Sequence, residues 1–197
     1  MIDDGDLLLE ARAVQAGYSG PVMAPVSLRV RPGEVIGLRG PNGCGKSTLL
    51  KALAGSATLF SGRIYRRPGL RVAHQHQNPL PLENVPLSGR ELLRLTGAPA
   101  ERLPGWIAPL LGHRLDRLSG GQRQFLQVWA CLRAPIDLVL LDEPTNNVDR
   151  DGIGSLLAEI ECLRGKVAML VISHEARFLE AACDRILDMR SLEKSAA

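Results

Sequence analysis

The sequence is poor in lysine, in paired cysteines and in long apolar runs. Lysine occurs only at Lys46, Lys51, Lys166 and Lys194, while arginine is common. That skew fits a GC-rich genome and carries no mechanism. The four cysteines, Cys44, Cys131, Cys162 and Cys183, are scattered with no Cys-x-x-Cys. Their spacing argues against a zinc site or a disulfide framework and fits a reducing compartment. No apolar stretch approaches the roughly 20 residues of a membrane span, so any crossing must come from another chain. The start, "MIDDGDLLLE", is acidic and lacks the basic-then-apolar order of a secretory leader. Internal repeats and low-complexity linkers are also missing. A net charge of +3 is too small to argue for nucleic acid and reads as a mixed solvated surface.

What remains is ordinary for a globular protein, with 45% hydrophobic and 23% charged residues. A length of 197 residues suits one domain, residues 1–197, able to bury a core without a metal or disulfide staple. "VSLRV" (26–30) alternates like a half-buried strand. "EVIGLRG" reads as a strand entering a glycine loop. "KSTLLKALAG" follows as a helix, with Gly55 just past its end. "DLVLLDEP" and "KVAMLVISH" are nearly continuous apolar runs, as central parallel strands require. Between them Ile153, Leu156, Leu157, Ile160 and Leu163 recur at helical spacing, and Gly165 closes the helix. This order predicts an α/β sheet with a crossover connection. The proline-rich middle, with "SGRELLRL" and "WIAPLLG", predicts a small helical insertion over residues 79–132.

"GPNGCGKST", residues 40–48, satisfies G-x-x-x-x-G-K-[ST] between a strand and a helix. Gly40, Pro41, Asn42, Gly43, Cys44 and Gly45 form a loop whose glycines let backbone N–H groups turn toward phosphate oxygens. The helix N-terminus adds to the attraction. Lys46 would reach the β- and γ-phosphates, Ser47 would ligate Mg²⁺, and Thr48 can add a hydroxyl contact. Cys44 fills a position where a small side chain suffices. Asp142, ending a buried strand, can hold Mg²⁺ through water, and Glu143 can polarise the attacking water. "RLSGGQRQ" (117–124) supplies a second anion site, a serine and two glycines at a helix start. One nucleotide does not need two such loops on one chain, whereas two facing chains would use both.

These motifs resemble the ATP-binding cassette (ABC) ATPases over nearly the whole chain. Residues 40–48 match Walker A, 118–122 the LSGGQ signature and 138–143 Walker B. Asp149 in "PTNNVD" matches the D-loop aspartate, and His174 in "VISHE" the switch histidine. Tyr18 in "AGYSG" stands where members stack an aromatic ring on adenine. The resemblance implies a P-loop NTPase fold with a mostly parallel core sheet and an N-terminal antiparallel β part. The RecA-like core, with that β part, would be residues 1–78 and 133–197. It implies ATP and Mg²⁺ as ligands and a head-to-tail homodimer. ATP would lie between Walker A of one subunit and Ser119, Gly120, Gly121 and Gln122 of the other. Glu143 would serve as base, His174 would contact the γ-phosphate, and Asp149 would link the two sites.

The commonest role of such a chain is to drive a separate membrane permease from the cytoplasmic face, with or without a substrate-binding protein. The run "LRVAHQHQNPLPLENVPLSGRELLRL" resembles the ATPase subunits of bacterial zinc and manganese importers. "LDEPTNNVD" and "SHEARFLEAACDRIL" also resemble soluble ABC proteins of the ribosome, although those usually carry two ATPase domains and read "TNHLD". A DNA-managing ATPase is disfavoured, because no coiled-coil arms and no strong basic patch occur. After the signature, members usually read like "QRVLLARAL" where this chain has "QFLQVWACL". Phe125, Trp129 and Ala130 therefore predict different packing of that helix.

In "VAHQHQNPL" strand alternation puts His74 and His76 on one face and Gln75 and Gln77 on the other. The histidine pair admits two readings, a metal site or a packed strand face, and two ligands are too few for a closed zinc site. By the resemblance, Gln77 at the strand end is the Mg²⁺ and water contact and the hinge to the helical insertion.

Overall fold

The computed structural model describes residues 7–76 and 86–190. Among the described residues the strands are β1 (Leu9–Gly17), β2 (Val26–Val30), β3 (Val35–Arg39), β4 (Thr58–Arg66), β5 (Val72–Gln75), β6 (Leu138–Asp142), β7 (Ala168–Ile172) and β8 (Arg185–Asp188). The α-helices among them are α1 (Lys46–Ala54), α2 (Gly89–Thr96), α3 (Gly120–Arg133), α4 (Arg150–Leu163) and α5 (Ala176–Ala182).

The two apolar runs form the middle of a parallel five-stranded sheet ordered β5-β6-β7-β3-β8. Every residue of β6 and β7 is buried, which is why neither shows alternation. They pair from Leu138 opposite Ala168 to Asp142 opposite Ile172, with α4 as the connection. An antiparallel sheet ordered β2-β1-β4 lies beside it. There β2 alternates as its sequence predicts, while β4, on the open edge, is exposed almost throughout.

Two apolar clusters flank the parallel sheet. One joins Leu49, Leu50 and Leu53 of α1 to the inner face of the antiparallel sheet and to Leu138, Leu140 and Ile172. The other joins α3, α4 and α5 to Val139, Leu141 and Val171 on the opposite face. The α1 start is thereby fixed against the C-terminal ends of β3, β6 and β7, where ligands of open α/β sheets bind. Gly55 caps α1 in the left-handed region, at φ 85°.

Between β5 and β6 the chain forms α2, two short 3₁₀ turns and α3. "WIAPLLG" yields one of those turns, Ala108–Gly112, with Pro109 in its first turn, where the missing backbone N–H costs no intrahelical bond. The unusual residues of α3 pack inward. The Phe125 ring lies 4.7 Å from Trp106 and 5.6 Å from Trp129, centroid to centroid. Both Phe125 and Trp129 are buried, and truncating either would cost about 3–5 kcal/mol. Among the described residues no helix is long and apolar enough to cross a membrane.

Candidate functional site

The loop between β3 and α1 curls as the glycine pattern requires. Gly45 has φ 92°, and a Cβ there would stand 2.5 Å from the Met23 Cβ, so two independent constraints demand glycine. Lys46 turns back on the loop, donating from Nζ to the carbonyls of Gly40 at 2.9 Å and Pro41 at 3.0 Å. Gly43, Gly45, Lys46, Ser47 and Thr48 line a cleft of ≈ 470 Å³ together with Tyr18, Val22, Asn42, Asp142, Glu143 and Ile172. Residues as far apart in sequence as Tyr18 and Ile172 therefore meet at one opening. Val22 and Ile172 carry no motif, and sequence reasoning misses them. Tyr18 is 59% exposed, and its hydroxyl accepts a 2.8 Å bond from Lys51 Nζ.

Asp142 lines the cleft, 2% exposed, and its Oδ1 is buried without a hydrogen-bond partner. Burial raises its pKa above the usual carboxylate range, the Ser47 hydroxyl bond offsets part of this, and the neighbouring Glu143 charge adds to the rise. A buried carboxylate oxygen with nothing to bond, beside a serine hydroxyl at a phosphate loop, fits a divalent cation such as Mg²⁺.

Glu143 adopts φ 53°, a left-handed conformation uncommon for a non-glycine residue. Its N–H donates to the Ile172 carbonyl at 2.9 Å. Its Oε2 accepts from the His174 backbone N–H at 3.2 Å and lies 2.8 Å from His174 Nδ1. The His174 side chain is 68% exposed, so it is no ordinary core histidine. Glu175 beside it is tied down by Thr145, whose hydroxyl donates at 2.8 Å.

The signature residues lie at the start of α3, outside this cleft's lining. Ser119 caps the helix, its hydroxyl accepting from Gln122 N–H at 3.2 Å while Gln122 Oε1 accepts from Ser119 N–H at 3.0 Å. This capping box leaves the first-turn amides of Gly120 and Gly121 without intrahelical acceptors. A Cβ on Gly121 would lie 2.2 Å from the Asn147 carbonyl oxygen, so the chain's own packing demands glycine there. A Cβ on Gly120 would meet nothing within 4 Å. Asp149 caps α4, accepting from Gly152 N–H at 2.8 Å.

The histidine pair shares one face, its rings 3.8 Å apart between centroids and tilted by 41°. Both His74 ring nitrogens are buried without partners, and burial, His76 and Lys51 push its pKa down to about 4. Among the described residues no cluster of three or more His, Cys, Asp or Glu could hold a metal ion. Gln75 is buried in the strand, accepting from the Asp142 backbone N–H at 3.2 Å. Gln77 lies outside the described residues.

Fold and cleft together define a P-loop nucleotide hydrolase. A family model described as ABC transporter matches residues 23–146. The zinc import ATP-binding protein ZnuC of Paracoccus denitrificans is 36% identical over 187 residues, covering 89% of this chain and 72% of that protein. A solved ATP-binding subunit of an ABC transporter superposes with TM-score 0.78 at 26% identity, covering 92% of this chain and 85% of that one. An archaeal ribosome recycling factor, solved with a ribosomal stalk protein, shares the fold with TM-score 0.77 at 25% identity. That match covers 95% of this chain and only 38% of the other. The chain belongs to the ABC transporter family. It is the ATP-binding, ATP-hydrolysing subunit of such a transporter.

Proposed function

We propose that this chain powers metal-ion uptake of the zinc type, on the cytoplasmic face of a membrane and beside a separate permease. The observation that carries the ATPase half is the Glu143 carboxylate, on a residue lining the phosphate-loop cleft, 2.8 Å from His174 Nδ1. The zinc half rests on the 36% identity to a zinc import ATP-binding protein over 89% of the chain. The ribosome-associated reading has the shared fold in its favour, but that fold is common to both classes.

In this reading ATP lies along the loop with its adenine toward Tyr18. Backbone N–H groups of residues 43–48 and the Lys46 ammonium bind the phosphates. Ser47 and Asp142, the latter through water, hold Mg²⁺, with Gln77 as a further contact. The ion supplies neutralisation of phosphate charge. Glu143 accepts a hydrogen bond from the attacking water, aligning its oxygen with the γ-phosphorus. His174 donates toward the γ-phosphate oxygens, where negative charge spreads in the transition state. Water bonds to phosphorus as the bond from the γ-phosphorus to the β–γ bridging oxygen breaks, and the water's proton passes to Glu143 and on to solvent, giving ADP and phosphate. A second copy, head to tail, presents Ser119, Gly120, Gly121 and Gln122 to the same γ-phosphate. The amides left open at that helix start and the free space at Gly120 suit such an approach. Asp149 stands at the join between the two sites.

The experiment is purification from the native membrane fraction, with Glu143→Gln in parallel. A multi-span membrane protein should co-purify, and zinc supplied to that complex in vesicles should raise ATP hydrolysis. Glu143→Gln should bind ATP and lose hydrolysis by at least about a hundredfold. Ribosomes in place of a membrane partner would overturn the transport reading, and undiminished hydrolysis would overturn the role of Glu143.

A further inference from the structure

We propose that Gln124 is a positioning residue that ties the signature end of α3 to the carbonyl of Glu143, so that each ATP site informs the other. The inference rests on the reading above, in which Glu143 serves the chain's own nucleotide and Ser119 to Gly121 face the partner's.

Gln124 is 8% exposed, in a helix stretch whose neighbours Phe125, Leu126 and Val128 are fully buried. A primary amide in such a place is costly unless its N–H groups are bonded. Its Nε2 donates to the carbonyl of Glu143 at 3.3 Å and lies 3.5 Å from that of Pro144. These acceptors are the carbonyl of the residue that carries the reactive carboxylate and the carbonyl of the residue after it. Glu143 holds a left-handed backbone, φ 53°, that no repeating element enforces, since β6 ends at Asp142. Four contacts fix it instead. Ile172 takes its N–H, Asn146 N–H reaches its carbonyl at 3.3 Å, His174 holds its carboxylate, and Gln124 holds its carbonyl. Of these four, Gln124 alone belongs to the helix that begins with Ser119.

A second contact stiffens the same junction. Gly121 packs on the Asn147 carbonyl so closely that a Cβ would stand 2.2 Å from its oxygen. The first turns of α3 and the loop from Glu143 to Asn147 therefore touch at two points, one polar and one steric. A shift of α3 when Ser119 to Gly121 engage a nucleotide must be felt at the Glu143 backbone. The carboxylate then turns with it. In a head-to-tail dimer that helix end meets the nucleotide held by the partner. The amide thus links occupancy of one site to alignment of the base in the other, and ATP hydrolysis should be cooperative through it.

The test uses the full chain and two variants. Gln124→Met keeps length and packing but removes the donor. Gln124→Glu keeps shape, faces two carbonyl oxygens with an acceptor near neutral pH, and regains a donor on protonation. For Gln124→Met, kcat should fall about tenfold or more while KM stays within about threefold, the pattern of an interaction that matters in the transition state. Its Hill coefficient for ATP should fall toward about 1. For Gln124→Glu, activity relative to the parent chain should recover as pH is lowered. Unchanged kcat and cooperativity in Gln124→Met, alongside an inactive Glu143→Gln control, would overturn the inference and leave the base assignment standing. Reduced kcat with unchanged cooperativity and no recovery in Gln124→Glu would also overturn it, leaving a packing role only. If Gln124→Met does not fold, the pH profile of Gln124→Glu decides. An active Glu143→Gln control would instead sink the base assignment from which the inference starts.

Discussion

Asp142 is the residue where stability and function pull apart. Its carboxyl is buried, one oxygen lacks a partner, and burial raises its pKa. For an acid with a raised folded pKa, the fold favours the protonated form. Its full contribution to stability is present below the unfolded-state value and is lost as pH rises through the folded value. At neutral pH the ionised group is therefore a liability in the nucleotide-free protein. Asp142→Asn should stabilise that state by ~1 kcal/mol near pH 7, the scale of one unsatisfied buried polar group. For a chain of this size that is a rise in Tm of roughly 2–4 °C. The gain should shrink as pH falls from the raised folded value toward the ordinary carboxylate range, below which the aspartate is neutral in both states. ATP hydrolysis should drop by at least about a hundredfold in the same variant. Thermal unfolding across pH, with and without ATP and magnesium, checks both halves. Equal melting of the two proteins at pH 7 would show that the aspartate carries no such penalty.

At the scale of elements, the same capping box recurs twice with different consequences. Ser88 begins α2 and Ser119 begins α3, each accepting from the N–H three residues on while that residue's side chain returns the bond. Ser88 also donates its hydroxyl hydrogen to Glu91 at 2.6 Å. Either serine-to-alanine change should cost about 1 kcal/mol in unfolding free energy. Only Ser119→Ala should also depress hydrolysis, because only that helix start faces a nucleotide in the proposed dimer. Equal ATPase losses in the two variants would reduce Ser119 to a cap. Elements of this kind are legible in sequence because their determinants are local. The strand before the phosphate loop, the two unbroken apolar strands and the Gly55 cap follow from neighbouring residues alone. The 3₁₀ turn in "WIAPLLG" is harder to foresee, since Pro109 leaves both a turn and a short amphipathic helix open. Gln124 is harder still. Its acceptors lie 19 and 20 residues further on, and only the packed fold brings them within reach. Its one sequence signal is a polar side chain among Phe125, Leu126 and Val128.

For the whole molecule the unexplained glycine is the informative one. Gly121 is required by its own chain, since a Cβ would strike Asn147. Gly120, with open space around its missing Cβ, is not. In the proposed dimer a second chain's nucleotide would supply the reason the fold withholds. Lys46, by contrast, lines the cleft formed by its own chain. A head-to-tail dimer would then build each site from the Lys46 loop of one copy and the Gly120 helix of the other. Lys46→Ala and Gly120→Asp should each abolish hydrolysis alone, the first from within and the second across the interface. Gly120→Asp should nonetheless melt near the parent chain, because the added side chain enters open space. Mixed in equal amounts, the two inactive proteins should recover activity. Half of the dimers would be hybrids, each with one intact site, so the ceiling is about a quarter of the parent rate for independent sites in an isologous pair. Coupling through Gln124 would hold the recovered rate below that ceiling, and Gln124→Met in both partners would remove this restraint along with much of kcat. No recovery at any mixing ratio, with both variants folded and able to associate, would mean that each chain completes its own site, and the dimer geometry would have to be abandoned.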